Sequence, residues 1–229
     1  MNNYFVSAVV VAAGNSTRMG LEISKQFIKL NGECVISHTL KAFENSEIID
    51  SVIVVCRESD RSEIESIIKE KEYKKVKAVV KGGNERADSV KNGIFYCDEK
   101  TTHFAIHDGA RPLIKKEDIE KVVKKAFETD AAALGTYVTD TIKVVDENDE
   151  IVSTPVRSEL RAVQTPQVFE KELYLKALDF AEKNKQPVTD DCKLVENIGN
   201  KVKIVIGNDT NIKLTTKSDI KIAEAIISK

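Results

Sequence analysis

Apolar residues gather in short runs with little charge at 5–11, 52–56, 76–80, 104–107 and 131–138. Runs of this length read as strands buried on both faces of a parallel sheet. Between them the polarity follows a helical period. Ile119, Val122, Val123, Ala126 and Phe127 fall at i, i+3, i+4, i+7 and i+8, one face of a helix. Residues 34–43 and 61–71 predict two more helices, and Asn84 stands where it could cap another carrying Ala87, Val90, Ile94 and Phe95. A helix at 171–182 and a strand at 202–206 follow. The last helix has Thr216 and Asp219 at capping-box spacing ahead of Ile222, Ala223, Ile226 and Ile227. This alternation predicts an α/β fold with a doubly wound, mostly parallel sheet and ligands at the carboxyl ends of its strands.

One segment breaks the rhythm. Residues 141–145 and 150–152 are strand-like and flank the turn formers Asp146-Glu147-Asn148-Asp149. A hairpin this polar does not belong in a core. It predicts a protruding β-arm at about 139–160, either a plain surface excursion or a hook for a second subunit. With no linker, repeat or low-complexity stretch, residues 1–229 read as one domain with one appendage.

Composition narrows the partners. A formal charge of −2, with acidic and basic residues interspersed, argues against a nucleic-acid or membrane binder. No basic leader and no run of membrane-spanning length appear, so a cytoplasmic protein is expected. Cys34, Cys56, Cys97 and Cys192 are scattered without zinc-ligand spacing and read as structural.

Candidate chemistry starts at the end of the first strand. Val9-Val10-Val11 opens into Ala12-Ala13-Gly14, and Arg18 and Lys25 follow. Small residues let backbone N–H groups approach phosphate oxygens, and the cations offset the charge collected there. This is not a P-loop, because Met19 occupies the second glycine's place, and a dinucleotide G-x-G-x-x-G is answered only by Gly14. Other polar clusters also follow strands. Gly82-Gly83-Asn84-Glu85-Arg86 leads to Ser89 and suits either a base and ribose or a turn with a helix cap. His107-Asp108-Gly109-Ala110-Arg111 offers an Asp for a ligand hydroxyl or an ion pair, with His107 read as a packed imidazole. Arg157, the Gln164-Thr165-Pro166-Gln167 loop, Thr189-Asp190-Asp191 and Asn211-Ile212-Lys213 carry cations and hydroxyls fit for a phosphate-bearing second substrate.

Taken in order, Ala-Ala-Gly-x-x-x-Arg-Met-Gly, Lys25-Gln26-Phe27, Gly-Gly-x-Glu-Arg-x-Asp-Ser-Val, His-Asp-Gly-Ala-Arg-Pro, Gln-Thr-Pro-Gln and Asn-Ile-Lys-Leu-Thr resemble one family. It is the 2-C-methyl-D-erythritol 4-phosphate cytidylyltransferases of the non-mevalonate isoprenoid pathway. Ribitol-5-phosphate cytidylyltransferases share most of the pattern. The resemblance implies a Rossmann-like nucleotidyltransferase that is Mg2+-dependent and homodimeric, with the arm serving the partner's site. It implies that Ala12, Ala13 and Gly14 hold CTP by their backbone. Gly83, Asn84 and Ser89 would select cytosine and ribose, with Arg86 supporting their loop. Arg18, Lys25 and Lys213 would stabilise the reacting phosphates. Asp108, Arg157, Thr165, Thr189 and Lys213 would hold the polyol phosphate. Mg2+ would be held mainly by the CTP phosphates, with no dedicated protein ligands. Asn84 stands where Asp is common, and Val156 before Arg157 is a feature of the ribitol relatives. Arg86-Ala87-Asp88-Ser89-Val90 and Val188-Thr189-Asp190 favour methylerythritol phosphate. A non-catalytic nucleotide-binding module on the same fold is the alternative of a different class.

Overall fold

A computed structural model of the chain describes residues 4–14, 24–184 and 189–228. Its strands are β1 (Val6–Val11), β2 (Lys29–Leu30), β3 (Glu33–Cys34), β4 (Ser51–Cys56), β5 (Val76–Lys81), β6 (His103–Asp108), β7 (Ala131–Tyr137), β8 (Val144–Val145), β9 (Ile151–Ser153), β10 (Arg161–Glu170) and β11 (Lys203–Ile206). Its helices are α1 (Val35–Glu44), α2 (Arg61–Glu70), α3 (Arg86–Phe95), α4 (Lys116–Thr129), α5 (Lys171–Asn184), α6 (Asp191–Asn197) and α7 (Lys217–Ile227).

Seven strands form one sheet in the order β11-β7-β10-β6-β1-β4-β5. All neighbours are parallel except β10, which runs against both β6 and β7. The apolar runs are continuous because both faces are covered. Val6, Ala8 and Val10 of β1 pack with Ile36, Leu40 and Phe43 of α1, Ile64 of α2, and Ile119 and Val122 of α4. The alternate residue Val9 faces the other way, with Ile53, Val55 and Ile94 of α3. Farther along that second face, Phe104, Ile106 and Phe169 meet Tyr174 and Ala177 of α5 and Val195 of α6. The run β5-β4-β1-β6 places the reversal of strand order between β1 and β6, where open α/β sheets take their ligands.

Three local expectations are corrected. Gln164-Thr165-Pro166-Gln167 is not a loop. It lies inside β10, where the pairing with β7 shifts register between Val163 and Gln167. A proline and three polar residues conceal a central strand, because buried side-chain hydrogen bonds satisfy what apolar packing does elsewhere. The cap of α3 is Glu85 rather than Asn84, and the Asp88 carboxylate accepts from the Glu85 N–H at 3.1 Å. Thr189-Asp190-Asp191 leads into an unexpected helix, α6, whose N-cap Asp190 accepts from the Lys193 N–H at 3.0 Å.

The arm is a short hairpin of β8 and β9, turned by Asp146, whose carboxylate accepts from the N–H groups of Asn148 and Glu150. Ile142, Val144, Val145, Ile151 and Val152 are all exposed on it. Among the described residues no helix is long and apolar enough to cross a membrane.

Candidate active site

The loops after β1, β4, β5 and β6 enclose a cavity of about 490 Å³. Its lining includes Ala13, Gly14, Lys25, Gly83, Asn84, Arg86, Ser89, Asp108 and Lys213. Arg57, Glu58 and Lys81 also line it, and no motif had pointed to them. The floor is tightly made. Ala12, just below the cavity, donates its N–H to the Val55 carbonyl at 2.6 Å, and Gly82 donates to the Cys56 carbonyl at 2.8 Å. A Cβ on Gly82 would lie 2.4 Å from the Ala13 Cβ and 2.9 Å from the Ser89 Oγ, so only glycine fits. Ser89 is buried and engaged within the loop, accepting from the Gly83 N–H and donating to the Glu85 carbonyl, each at 3.1 Å. Arg18 lies outside the described residues.

A second cavity of about 180 Å³ adjoins the first. Thr165, Gln167, Thr189, Asp190 and Arg111 line it, and it shares Arg86, Asp108 and Lys213 with its neighbour. Those three side chains meet at the junction. The Arg86 Nε donates to Asp108 Oδ1 at 3.3 Å, and the Lys213 Nζ lies 2.8 Å from Asp108 Oδ2. Arg111 adds a third cation at 3.7 Å. Burial by itself would raise the Asp108 pKa, but Arg86, Lys213 and Arg111 outweigh it and hold the carboxyl well below its ordinary range. Asp108 is therefore ionised at any physiological pH.

Lys213 reaches this point because its own loop is pinned on both sides. Asn211 is fully buried and donates to the Gln164 Oε1 and the Thr165 carbonyl, both at 3.0 Å. Its carbonyl accepts from Arg111, and the Leu214 N–H reaches the Ala110 carbonyl at 2.9 Å. Thr165 links β10 to β6: its Oγ1 accepts from the Asp108 N–H at 3.0 Å and lies 3.1 Å from His107 Nδ1. The hydroxyl then donates to Nδ1, leaving the His107 Nε2–H for the Arg111 carbonyl at 3.4 Å. Burial pushes the His107 pKa down to about 3, so the ring is a neutral strut.

Arg157 lines neither cavity. It sits in a 3-10 turn at the foot of the arm and donates to the Thr141 Oγ1 at 3.0 Å. Tyr174, on a helix that the sequence predicts without singling this residue out, is hydrogen-bonded to Asp191 behind the junction. Among the described residues no three His, Cys, Asp or Glu side chains are grouped as a metal cage.

Residues 6–229 match the model of the family described as 2-C-methyl-D-erythritol 4-phosphate cytidylyltransferase. A protein of that name from Caldanaerobacter subterraneus subsp. tengcongensis is 47% identical over 225 residues, covering 98% of this chain and 99% of its own. Another, from Alkaliphilus oremlandii, is 40% identical over 96% of this chain and 94% of its own. Among solved structures, a 4-diphosphocytidyl-2C-methyl-D-erythritol synthase from Anaerococcus prevotii superposes with a TM-score of 0.89 at 30% identity, covering 99% of this chain and 97% of that one. The 2-C-methyl-D-erythritol 4-phosphate cytidylyltransferase of Thermus thermophilus gives 0.80 at 27% identity, covering 98% and 100%.

Proposed function

The chain belongs to the 2-C-methyl-D-erythritol 4-phosphate cytidylyltransferase family, and from that premise we infer that it transfers CMP from CTP to 2-C-methyl-D-erythritol 4-phosphate. The products are 4-diphosphocytidyl-2-C-methyl-D-erythritol and pyrophosphate. The observation that carries this reading is the pair of adjoining cavities whose shared wall is Arg86, Asp108 and Lys213, with Lys25 on the side of the larger one. A site built that way suits two anionic reactants meeting at one point.

The reaction is an in-line displacement. An oxygen of the acceptor phosphate forms a bond to the α-phosphorus, and the bond from that phosphorus to the bridging oxygen breaks. A phosphate monoester with a second pKa of about 6 is mostly a dianion at neutral pH, so no general base is needed. His107, buried and neutral, is not suited to be one. The difficulty is repulsion between the reactants, and fixed cations reduce it without reorganising during the step. Lys25 and Lys213 would supply that charge from this chain, with Arg18 joining them. Ala13, Gly14, Gly83, Asn84 and Ser89 would hold the nucleotide; Ala12, expected to join them, is buried beneath the cavity with its N–H given to Val55. Asp108, Thr165, Thr189 and Lys213 would hold the polyol phosphate. Mg2+ keeps much of its shell as water and substrate phosphate, so it needs few protein ligands. Asp108, the carboxylate common to both cavities, is already taken up by Arg86, Lys213 and Arg111, so the ion would be held mainly by the CTP phosphates, whose charge it would neutralise.

The catalytic unit is the whole chain acting in the cytoplasm as a homodimer. The exposed apolar residues of the arm support that assembly, since a partner's surface would cover them. Arg157, at the foot of the arm and away from both cavities, would then serve the neighbouring subunit's acceptor. Pyrophosphate release with CTP and either methylerythritol phosphate or ribitol 5-phosphate tests the reading. Release with the first acceptor is expected. Release with ribitol phosphate alone would overturn the acceptor, and binding of CTP without release from any acceptor would make the chain a sensor.

A further inference from the structure

Asp191 lines neither cavity and is 1% exposed, yet it holds the tighter end of the ion chain that reaches the junction. The Arg86 Nη1 donates to Asp191 Oδ2 at 2.6 Å, against 3.3 Å from its Nε to Asp108. The other Asp191 oxygen accepts from the fully buried Tyr174 hydroxyl, also at 2.6 Å. One guanidinium is thereby divided between two carboxylates on different elements, α6 and β6. Burial would weaken the Arg86 charge, but the two carboxylates more than compensate and raise its pKa further.

Consider the fork without its rear anchor. Arg86 carries five donors in a rigid plane that matches a carboxylate two bonds at a time. With Asp191 gone, the nearest carboxylate is Asp108. A bidentate grip there would take up the oxygen that now receives Lys213 at 2.8 Å. Lys213 and Asp108 would both shift at the point where the two substrates are to meet.

We infer that Asp191, steadied by Tyr174, is a positioning residue that draws Arg86 back so that Asp108 holds Lys213 at the junction. The kinetic part of this inference rests on the cytidylyl-transfer reading; the geometric part does not. Tyr174→Phe, Asp191→Asn and the double variant test it. Turnover is expected to fall about 10- to 100-fold in Asp191→Asn, as for a misplacement of about an ångström. A smaller fall of about three- to tenfold is expected in Tyr174→Phe, which removes one hydrogen bond to a charged group. The KM for CTP changes less than turnover in each variant, because Ala13, Gly14, Gly83, Asn84 and Ser89 of the nucleotide cavity make no hydrogen bond to Asp191 or Tyr174. Tyr174 acts only through Asp191, so the double variant is no slower than Asp191→Asn alone.

A second readout needs no turnover. In protein carrying 15N-arginine, the Arg86 Nη1 hydrogens, which Asp191 holds, exchange slowly in the wild type and more than about tenfold faster in Asp191→Asn. Should Asp191→Asn fail to fold, Tyr174→Phe and its Arg86 signal decide. Turnover within twofold of wild type in both single variants, losses that multiply in the double variant, or an unaltered Arg86 signal would each overturn the role. A wild type with no cytidylyl transfer refutes the function above instead, and the Arg86 exchange alone then judges the positioning.

Discussion

Lowering the pH from 7 to 5 probes how completely His107 is shut away from water. Burial is the chief cause of its depressed pKa, about 3 against an ordinary 6.5, and the nearby Asp108 charge only partly opposes it. The unfolded chain therefore takes up a proton that the folded one refuses. Stability from this group is complete above pH 6.5 and is lost as the pH falls toward 3. Linkage puts the loss between pH 7 and pH 5 at about 2 kcal/mol, and any folded value below about 4 gives nearly the same figure. Urea unfolding at the two pH values, in wild type and in His107→Gln, isolates the effect because glutamine does not titrate. His103, whose pKa burial also lowers, contributes in the same direction to both proteins and cancels in the difference. Wild type should lose about 2 kcal/mol more than the variant over this interval. Equal losses would mean that the imidazole is protonated in the folded protein and the hydrogen-bond assignment through Thr165 is wrong.

Lys25→Ala and Lys213→Ala should each reduce turnover at saturating CTP by about 10²–10³, with CTP affinity changed far less. Pyrophosphate release and calorimetric titration measure the two, and near-normal turnover would reduce both to ordinary surface cations. The Lys213 change should cost stability no more than about 1 kcal/mol, because the side chain is a third exposed and Asp108 keeps Arg86 and Arg111. Gly82→Ala should weaken CTP binding at least about tenfold by driving a methyl group into Ala13 and Ser89; unchanged affinity would show that this loop gives way freely. Arg157→Ala should raise the KM for the polyol phosphate. If the residue acts across a dimer, mixing that variant with Lys213→Ala should restore about a quarter of wild-type activity, one intact site in half of the random dimers. No recovery on mixing would assign Arg157 to its own subunit.

Much of the sheet could be read directly because its parallel strands are packed on both sides. Val9 and Val10 face opposite layers and both must be apolar, so β1 and β4 announce themselves as unbroken runs. β10 is buried too but speaks a different language. Gln167 is 2% exposed and is satisfied by the Cys192 N–H and Asp190, while Gln164 pairs with Asn211. Polar residues satisfied by partners far along the chain look, in isolation, like a turn. The site followed the same divide. Lys25, Asp108 and Lys213 were found through motifs at strand ends, and the cavities gather them. Tyr174 gave no such signal, since a tyrosine on the apolar face of a helix resembles any core aromatic until Asp191 is seen beside it. Asn84 and Glu85 illustrate a finer limit, because adjacent polar residues differ by one backbone step in which of them starts the helix.

The reversed direction of β10 decides where the hairpin hangs. Chain leaving the carboxyl end of β7 must return to the sheet from that same end, since Arg161 pairs with Tyr137. Residues 139–160 are thus hinged on the lip of the cleft and contribute nothing to the interior. Since none of these residues is buried, rewriting this flap would leave the packed layers intact while changing what overhangs the cleft. On the proposed dimer, acceptor preference and subunit pairing would therefore change together, at little cost to folding.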